Sequence, residues 1–368
     1  MTKLRMSCPC HFGLESVLSF EVKKIGGEDI AVSDGKVAFS GDFGTLALAN
    51  ICLSTAERVL IELASFRADS FEALFQGIKA IPLEEFIGKN DAFPVKGSSL
   101  NSQLHSIPDC QKIIKKAAVE RLKPVYGVEY FQETGSVHQL QFMIMKDIAT
   151  IYLDTSGSGL HKRGYRKNAN TAPIKETLAA GIIDLARVRQ DSIVCDPFCG
   201  SGTMLIESAF KALSIPPGIN RKFASEQWDC IPQNVWTDAR KEAISKVNRQ
   251  GTFRASGFDI DAEAVALTAE NCKKAGIFNR ISVSKADIRD FVAPQDSTII
   301  CNPPYGERLL EIREAEELYK VMGEKFGQNS CYIISPHEDF ERFFGRRADK
   351  RRKLYNGMIK CQLFMYFK

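Results

Sequence analysis

The sequence predicts an α/β protein with two unlike halves: an α+β region, followed by a doubly wound sheet whose last strand is antiparallel. After residue 165, short apolar runs alternate with segments of helical periodicity, which is typical of parallel strands joined by crossover helices. Near the end, Asn356-Gly357 separates two apolar runs and predicts a β-hairpin. Between the halves, residues 157–166 are rich in Gly and Ser and then basic, which predicts a hinge.

The composition is that of an ordinary globular protein. The 368 residues include 44% hydrophobic and 26% charged side chains, which excludes disordered and fibrous classes. No apolar run approaches the ~18 residues of a membrane span, and the first residues lack the apolar core of a signal peptide. We therefore expect a cytoplasmic protein without a membrane partner.

The eleven cysteines and five histidines do not predict a metal site. No Cys-x-x-Cys spacing occurs, and the close pairs are Cys8 with Cys10 and Cys195 with Cys199. Because a cytoplasmic protein keeps its thiols reduced, we expect the cysteines to be small buried apolar residues rather than nucleophiles.

The first half predicts a mixture of helices and strands in two small units, without a catalytic signature. A stripe of apolar residues at helical spacing predicts a helix over residues 13–25. Further helices are predicted at 70–81 and 109–122, strands at 37–39 and 59–64, and a hairpin of 139–145 with 147–154.

The second half predicts alternating helices and strands. Thr171 is the expected N-cap, and Pro173 a first-turn residue, of a helix that runs to about Val188. Strands are expected at 192–195, 254–258, 281–285, 298–301 and 331–335, with a terminal hairpin of 353–355 and 358–367. Helices are expected at 203–213, 261–275 and 315–326.

The first motif that carries chemistry lies between a predicted strand and a predicted helix. It reads Asp196-Pro197-Phe198-Cys199-Gly200-Ser201-Gly202-Thr203. In a doubly wound sheet, ligands bind at the carboxyl ends of strands, and Gly200 and Gly202 let the backbone approach a ligand closely. The string lacks the Gly-Lys-Ser/Thr ending of a phosphate-binding loop, so a nucleoside triphosphate is not expected.

Acidic residues follow the next two strands. Asp259 ends one strand and can accept hydrogen bonds from both hydroxyls of a ribose. Asp261 competes for that role but is well placed as the N-cap of the next helix, so we assign the ribose to Asp259. Asp287 follows the next strand and can accept from an adenine amino group, although an Asp after a strand is often only a turn residue.

The last motif, Asn302-Pro303-Pro304-Tyr305, follows the strand at 298–301. The prolines stiffen the loop and remove backbone donors, which leaves carbonyl and carboxamide acceptors. Two acceptors on the hydrogens of an exocyclic amine favour its nucleophilic geometry, and the Tyr305 ring can hold a base out of its stack. We therefore predict that Asn302, Pro303 and Tyr305 are catalytic.

Together these motifs resemble class I S-adenosylmethionine-dependent methyltransferases, and the Asn-Pro-Pro-Tyr string resembles their amino-methylating branch. Residues 7–15, 160–166 and 172–178 resemble bacterial proteins with a ferredoxin-like unit and a THUMP domain. The whole is similar to the guanine-N2 methyltransferase half of the bifunctional bacterial large-subunit (23S) rRNA methyltransferases.

The resemblance implies a ferredoxin-like unit at residues 1–55, an RNA-binding THUMP domain at 56–160, and a Rossmann-like, seven-stranded methyltransferase sheet at 161–368. It implies a guanine amino group at Asn302 and Tyr305, with residues 163–172 lining a pocket for S-adenosylmethionine. The implied cofactor-binding residues are Asp196, Pro197, Phe198, Gly200, Ser201, Gly202, Thr203, Asp259, Asp287 and Asn302. The implied partner is RNA, either 23S rRNA or a ribosome assembly intermediate.

Two basic stretches are candidates for contact with RNA phosphates. Residues 338–368 hold nine basic and four acidic side chains, although the net charge of the whole chain is only +4. We expect phosphate contacts from Arg346, Arg347, Arg351, Arg352 and Lys353 in this tail, and from Lys112, Lys115 and Lys116 on a predicted helix. A solvated surface without a ligand is the alternative for both stretches.

Other functions remain open at this point. The same loop serves adenine-N6 methylation of DNA or RNA, guanine-N2 methylation of tRNA, and glutamine methylation of a protein. The basic tail and the long N-terminal half favour nucleic acid over protein. A non-catalytic RNA-binding assembly factor is a further alternative, against which the intact motifs argue.

Overall fold

The computed structural model describes residues 3–166, 174–305 and 309–368, and within them the strands form two seven-stranded sheets. The N-terminal half contains β1 (Leu4–Pro9), α1 (Glu15–Lys24), β2 (Glu28–Ser33), β3 (Lys36–Gly41), α2 (Phe43–Cys52), β4 (Leu60–Arg67), α3 (Phe71–Lys79), β5 (Val95–Leu100), α4 (Ile107–Tyr126), β6 (Leu140–Met145) and β7 (Ile148–Asp154). The C-terminal half contains α5 (Glu176–Leu185), β8 (Ile193–Asp196), α6 (Thr203–Ala212), α7 (Gln233–Ser245), β9 (Arg254–Asp259), α8 (Ala262–Lys274), β10 (Ile281–Lys285), β11 (Thr298–Cys301), α9 (Leu309–Phe326), β12 (Cys331–Ser335), α10 (Phe340–Phe344), β13 (Lys350–Asn356) and β14 (Ile359–Tyr366).

The N-terminal sheet is continuous across the two small units that the sequence predicts. Its strand order is β2-β3-β1-β4-β7-β6-β5, and β1 pairs with β4 in antiparallel fashion, with Met6 opposite Ile61. Among the paired strands of this sheet, β5 and β6 are parallel and the other neighbours are antiparallel. Each unit therefore contributes strands to one shared sheet.

The C-terminal sheet has the strand order β10-β9-β8-β11-β12-β14-β13. The first five strands in this order, β10, β9, β8, β11 and β12, run parallel. Strand β14 is antiparallel to both β12 and β13, as predicted. Consecutive strand residues enter opposite cores: Val194 and Ile300 pack with α5 and α6, whereas Cys195 and Ile299 pack with α9 and α10. Helices thus cover both faces, and the predicted fold class is confirmed.

Several element boundaries differ from the predictions. The cap residues Thr171 and Pro173 lie outside the described residues, and the described part of α5 begins at Glu176. The sequence patterns do not predict strands β1, β2 and β5 or helices α2, α7 and α10. In β2, five of six residues are exposed, and α2 buries six consecutive residues, so neither shows an alternating or helical apolar pattern.

The predicted hinge is a packed junction. Arg163 is buried, with its Nε 3.3 Å from Oε1 of Glu207, and it donates to the carbonyl of Ser54. Trp228 from the C-terminal half packs into the N-terminal core, and Leu14 packs into the C-terminal core. The two halves are interlocked rather than joined by a flexible linker.

Candidate active site

The carboxyl ends of β8, β9, β10 and β11 lie side by side at one rim of the C-terminal sheet. A cavity of about 1040 Å³ opens there, which we call the rim cavity. The predicted site residues that line it are Pro197, Phe198, Asp259, Asp287, Asn302, Pro303 and Tyr305. The rim is where a doubly wound sheet binds its ligands.

The other predicted cofactor-binding residues belong to the same loop or its flanks but are not among the residues that line the rim cavity: Asp196, Gly200, Ser201, Gly202 and Thr203. The amide of Gly200 donates to Oδ2 of Asp259 at 2.9 Å, which fixes the loop to the end of β9. Gly202 has φ +79°, and a Cβ at this position would lie 2.7 Å from Cγ2 of Thr268. The conformation and the close approach both require glycine at position 202.

The carboxylates of Asp196 and Asp259 have different surroundings. Asp196 is buried and accepts from the amide of Phe198 at 3.0 Å, and burial raises the pKa of its carboxyl to about 8. Asp259 accepts one backbone N–H on each oxygen, from Gly200 and from Asp261. Because a carboxylate oxygen accepts two hydrogen bonds, each oxygen of Asp259 retains an acceptor position toward the cavity.

The two other acids that follow these strands, Asp261 and Asp287, have different roles in the structure. Asp261 is the N-cap of α8, where it accepts from the amide of Glu263 at 2.9 Å, as predicted. Asp287 lines the rim cavity but already accepts from the backbone of Arg289 at 2.9 Å and from its guanidinium at 3.0 Å. Asp287 is therefore both a turn residue and part of the cavity wall.

The Asn302 carboxamide is held by a chain of side chains. The hydroxyl of Tyr305 donates to Oδ1 of Asn302, and Nδ2 of Asn356 lies 3.4 Å from the Tyr305 oxygen. Burial holds the pKa of the Tyr305 phenol well above its usual range, so it remains a donor. Tyr319 adds a hydrogen bond of 3.3 Å to the Pro304 carbonyl. The loop is thus preorganised.

The residues that line the rim cavity and that sequence reasoning missed include Lys175 and Asn356. Lys175 precedes α5, and its Nζ lies 3.1 Å from Oε2 of Glu57 in the N-terminal half. Asn356 was identified only as a turn residue. The terminal hairpin brings Asn356 to the same rim as Asn302. The predicted hairpin was therefore the signal in the sequence that could have identified Asn356 as a lining residue.

The cysteines are buried or half-buried, as predicted. Burial raises the pKa of the Cys199 thiol and of the Cys301 thiol, which lie closest in sequence to the motifs. A raised pKa disfavours the nucleophilic thiolate. Both thiols therefore act as small apolar groups.

The basic residues of α4 differ in their surroundings. Lys112 and Lys116 are exposed. Lys115 is half-buried, pairs with Glu133 and donates to the carbonyl of Phe93 at 3.1 Å, and burial lowers its pKa. Its ammonium is committed to these internal partners, which argues against the predicted phosphate contact by Lys115.

The basic tail is also partly engaged within the protein. Arg351 forms a two-pronged ion pair with Glu341, Arg352 donates to the Gly13 carbonyl at 3.0 Å, and Arg346 donates to the Gly327 carbonyl at 2.9 Å. Arg347 and Lys353 are exposed. Among the five tail residues predicted to contact phosphates, Arg347 and Lys353 are the two with solvent-exposed side chains that no comparable ion pair or hydrogen bond to a carbonyl fixes within the described residues.

In residues 3–166, 174–305 and 309–368, no helix is long and apolar enough to cross a membrane. Over the same residues, no group of three or more His, Cys, Asp or Glu side chains is arranged to hold a metal ion.

Three domain families match the chain. They are the RlmL ferredoxin-like domain over residues 5–60, the THUMP domain over 68–154, and the RMKL-like methyltransferase domain over 163–364. The putative RNA methyltransferase YpsC of Bacillus subtilis is 42% identical and covers 100% of this chain and 97% of its own length.

A second relative and a solved structure extend the comparison. Ribosomal RNA large subunit methyltransferase K/L of Psychromonas ingrahamii is 34% identical over 97% of this chain, which spans 49% of that protein. The chain thus spans about half the length of this relative. The crystal structure of SMU.472, a putative methyltransferase complexed with SAH, is 36% identical, with a TM-score of 0.95 over 100% of this chain and 98% of that one. Motifs, topology and relatives agree, and the chain belongs to the family of RMKL-like methyltransferases that carry a ferredoxin-like unit and a THUMP domain.

Proposed function

We propose that this protein transfers a methyl group from S-adenosylmethionine to an exocyclic amine of an RNA base, N2 of guanine in 23S rRNA. The observation that carries the proposal is the Asn302 carboxamide in the wall of the rim cavity, which accepts a hydrogen bond from Tyr305, and Asn356 in turn donates to the Tyr305 oxygen. The K/L relative acts on large-subunit ribosomal RNA by its name, and this supports the choice of substrate.

The residues present fit S-adenosylmethionine. The rim cavity is large enough for a nucleoside-sized cofactor and a base, and Asp259 keeps acceptor positions for ribose hydroxyls. Asp287 lies beyond Asp259 on the same wall, where it can accept from the adenine amine. When bound, the cofactor supplies an electrophilic methyl group on a sulfonium. The SAH complex of SMU.472 supports this assignment.

The loop residues orient the amine. One lone pair of Asn302 Oδ1 accepts from Tyr305, which leaves a second lone pair for a hydrogen of the base amine. The Pro303 carbonyl offers the other acceptor. Together they turn the nitrogen lone pair away from conjugation with the base and toward the methyl group. The amine proton leaves at or after transfer, so no general base is assigned.

Tyr305 has two separable roles in this proposal. Its ring forms part of the cavity wall on which the flipped base stacks. Its hydroxyl fixes the rotation of the Asn302 carboxamide. Stacking acts on the base while it is bound, whereas the carboxamide acts chiefly in the transition state.

Nucleoside mass spectrometry of 23S rRNA and tRNA from a deletion strain tests the proposal. We expect one rRNA fragment to lose N2-methylguanosine, which the intact gene restores and Asn302→Ala does not. Loss of N6-methyladenosine instead, or loss confined to tRNA, would replace the proposal by the corresponding alternative. Unchanged nucleosides together with no calorimetric binding of S-adenosylmethionine would identify an assembly factor.

A further inference from the structure

A cavity of about 880 Å³ lies where the N-terminal half meets the C-terminal hairpin. We call it the junction cavity, and its walls include His11, Phe12, Lys175, Tyr355, Gly357 and Met358. Lys175 and Gly357 also line the rim cavity, so the two cavities adjoin. An RNA strand with one nucleotide in the rim cavity has a neighbouring nucleotide within reach of the junction cavity.

The junction cavity presents apolar side chains to solvent. Phe12 is 55% exposed and Met358 is 98% exposed. Tyr355 stands edge-on to Phe12, with ring centroids 6.2 Å apart, and Nζ of Lys353 lies 5.3 Å from the centre of the Tyr355 ring. Single exposed apolar side chains are common in proteins. Here they share one cavity, whose lining also includes Lys353 and the acids Glu15, Asp34 and Glu57, so it suits an unpaired base rather than its phosphate.

The residue before Phe12 is anchored to the methyltransferase domain. Nε2 of His11 lies 3.2 Å from Oε1 of Glu57 and 3.3 Å from Oγ1 of Thr177, at the start of α5. Burial opposes ionisation of Glu57, but hydrogen bonds from His11, His161 and Thr177 outweigh it and hold its pKa well below the usual range. Glu57 is therefore a charged acceptor that fixes His11 in place.

The residue after Phe12 is anchored to strand β13. The carbonyl of Gly13 accepts from Arg352 at 3.0 Å. Gly13 has φ +89°, and a Cβ there would lie 2.7 Å from the carbonyl oxygen of Lys353. The backbone on both sides of Phe12 is thus fixed relative to the rim cavity.

We propose that Phe12, with Tyr355 and Met358, forms a stacking subsite for the base of an unpaired nucleotide next to the target nucleotide. The inference rests on the proposed function, because it requires an RNA strand whose target base occupies the rim cavity. Stacking reads no hydrogen-bond pattern, so the subsite accepts any base but requires a single strand. The ferredoxin-like unit then takes a direct part in binding the substrate.

The test compares Phe12→Ala with Phe20→Ala in the full chain. Phe20 is also 55% exposed and belongs to α1 of the same unit, but it lies outside both cavities. One probe is a short fluorescein-labelled single-stranded RNA of mixed sequence, followed by anisotropy. The other is 23S rRNA from the deletion strain, methylated with radiolabelled S-adenosylmethionine.

We expect Phe12→Ala to weaken oligonucleotide binding and to raise the KM for rRNA, each about tenfold. The maximal rate and the affinity for S-adenosylmethionine should not change. Phe12→Trp, which keeps an aromatic ring, should have the oligonucleotide affinity and the KM of the wild type. Phe20→Ala should match the wild type. These readouts separate a substrate contact from a general loss of structure.

Unchanged oligonucleotide affinity and KM in Phe12→Ala, or an equal loss in Phe20→Ala, overturns the subsite. A wild-type chain that binds the oligonucleotide no better than Phe12→Ala also overturns it, whatever the rRNA assay gives. Binding that depends on Phe12, without methyl transfer to rRNA, leaves the subsite standing and removes the proposed substrate instead.

Discussion

The two sheets of the molecule differ in where their strand ends lie. In the C-terminal sheet, β10, β9, β8 and β11 run parallel, so Asp287, Asp259, Asp196 and Asn302 emerge along one rim. In the N-terminal sheet most neighbours are antiparallel, so successive strand ends alternate between opposite edges. Parallel order concentrates reactive side chains, whereas the antiparallel sheet supplies a rigid support that positions loops against them.

The largest effect is expected where the two sheets are joined. Arg163→Met leaves the buried Glu207 without its cationic partner, a change that typically destabilises a protein by about 3–5 kcal/mol. We expect calorimetry to show a single transition at a much lower Tm, because the two halves share cores.

The control for this change removes both charges. Arg163→Met combined with Glu207→Leu should recover part of the lost stability, since no charge is then buried alone. Two well-separated transitions in the wild type would contradict the interlocked arrangement and restore the hinge interpretation.

The second largest effect is expected for a substitution of Asn302 at the rim of the C-terminal sheet. Asn302→Ala should lower the single-turnover rate about a hundredfold, or about 3 kcal/mol, by analogy with the loss of one oxyanion-hole donor. RNA affinity should stay nearly unchanged, since the carboxamide acts chiefly in the transition state. The control is Asn356→Ala, whose rate should fall much less, because the Asn356 carboxamide contacts the Tyr305 hydroxyl rather than Asn302.

Two variants of Tyr305 separate its ring from its hydroxyl. Tyr305→Phe keeps the ring and frees the Asn302 carboxamide, so the rate should fall with little change in KM. Tyr305→Ala also removes the stacking face and should raise the KM. An Asn302→Ala enzyme with the wild-type rate would exclude the proposed mechanism.

Asp259→Ala should weaken binding of S-adenosylmethionine by roughly ten- to a hundredfold, because losing one charged acceptor bond costs about 1.5–3 kcal/mol. Isothermal calorimetry measures this directly. Asp261→Ala is the matched control: it should lower stability by about 1 kcal/mol through the lost N-cap while leaving affinity intact. Equal affinity in both variants would remove Asp259 from the site.

A pH effect is expected in the N-terminal half. His138 is buried and stacks on Trp228 with ring centroids 4.4 Å apart, and burial lowers its pKa to about 4 despite nearby Asp91. The unfolded chain binds this proton near pH 6.5, so folding stability falls as the pH drops from about 6.5 toward 4. The contribution lost by pH 5 is about 2 kcal/mol.

His138→Gln should remove that part of the pH dependence. Denaturant unfolding at pH 7 and pH 5 measures it as the difference between the variant and the wild type. An equal loss of stability in both proteins on acidification would assign the effect to other groups.

The smallest effect concerns the basic tail. If Arg347 and Lys353 contact phosphates, each Ala substitution should reduce the salt slope of RNA binding by about 0.7. Arg351→Ala is the control, because its guanidinium already pairs with Glu341. If all three variants have the same salt slope as the wild type, the basic tail is a solvated surface without phosphate contacts.

Sequence reasoning located the rim because each motif directly follows a predicted strand of the doubly wound sheet. Asp259 and Asn302 were placed in one site without knowledge of contacts, since parallel strands bring their carboxyl ends together. The Asp261 cap was equally local, because a helix cap depends only on the next few residues.

What was missed depends on partners distant in sequence. Nothing near Lys115 indicates that Glu133 neutralises it, and nothing near Arg352 indicates that Gly13 accepts its hydrogen bond. Strand β2 lies at the edge of its sheet with both faces largely exposed, so its residues carry no alternation. Local patterns report burial, and these features are set by tertiary pairing.

The inversion at the end of the C-terminal sheet has an evolutionary consequence. Because β14 is inserted antiparallel between β12 and β13, the chain reverses at Gly357 and Met358 beside the rim cavity and the junction cavity. A solvent-exposed loop tip tolerates changes in length and composition without disturbing strand pairing. Sequence changes at this turn can therefore reshape both cavities over evolution, while the strand pairing that brings Asp259 and Asn302 to one rim stays the same.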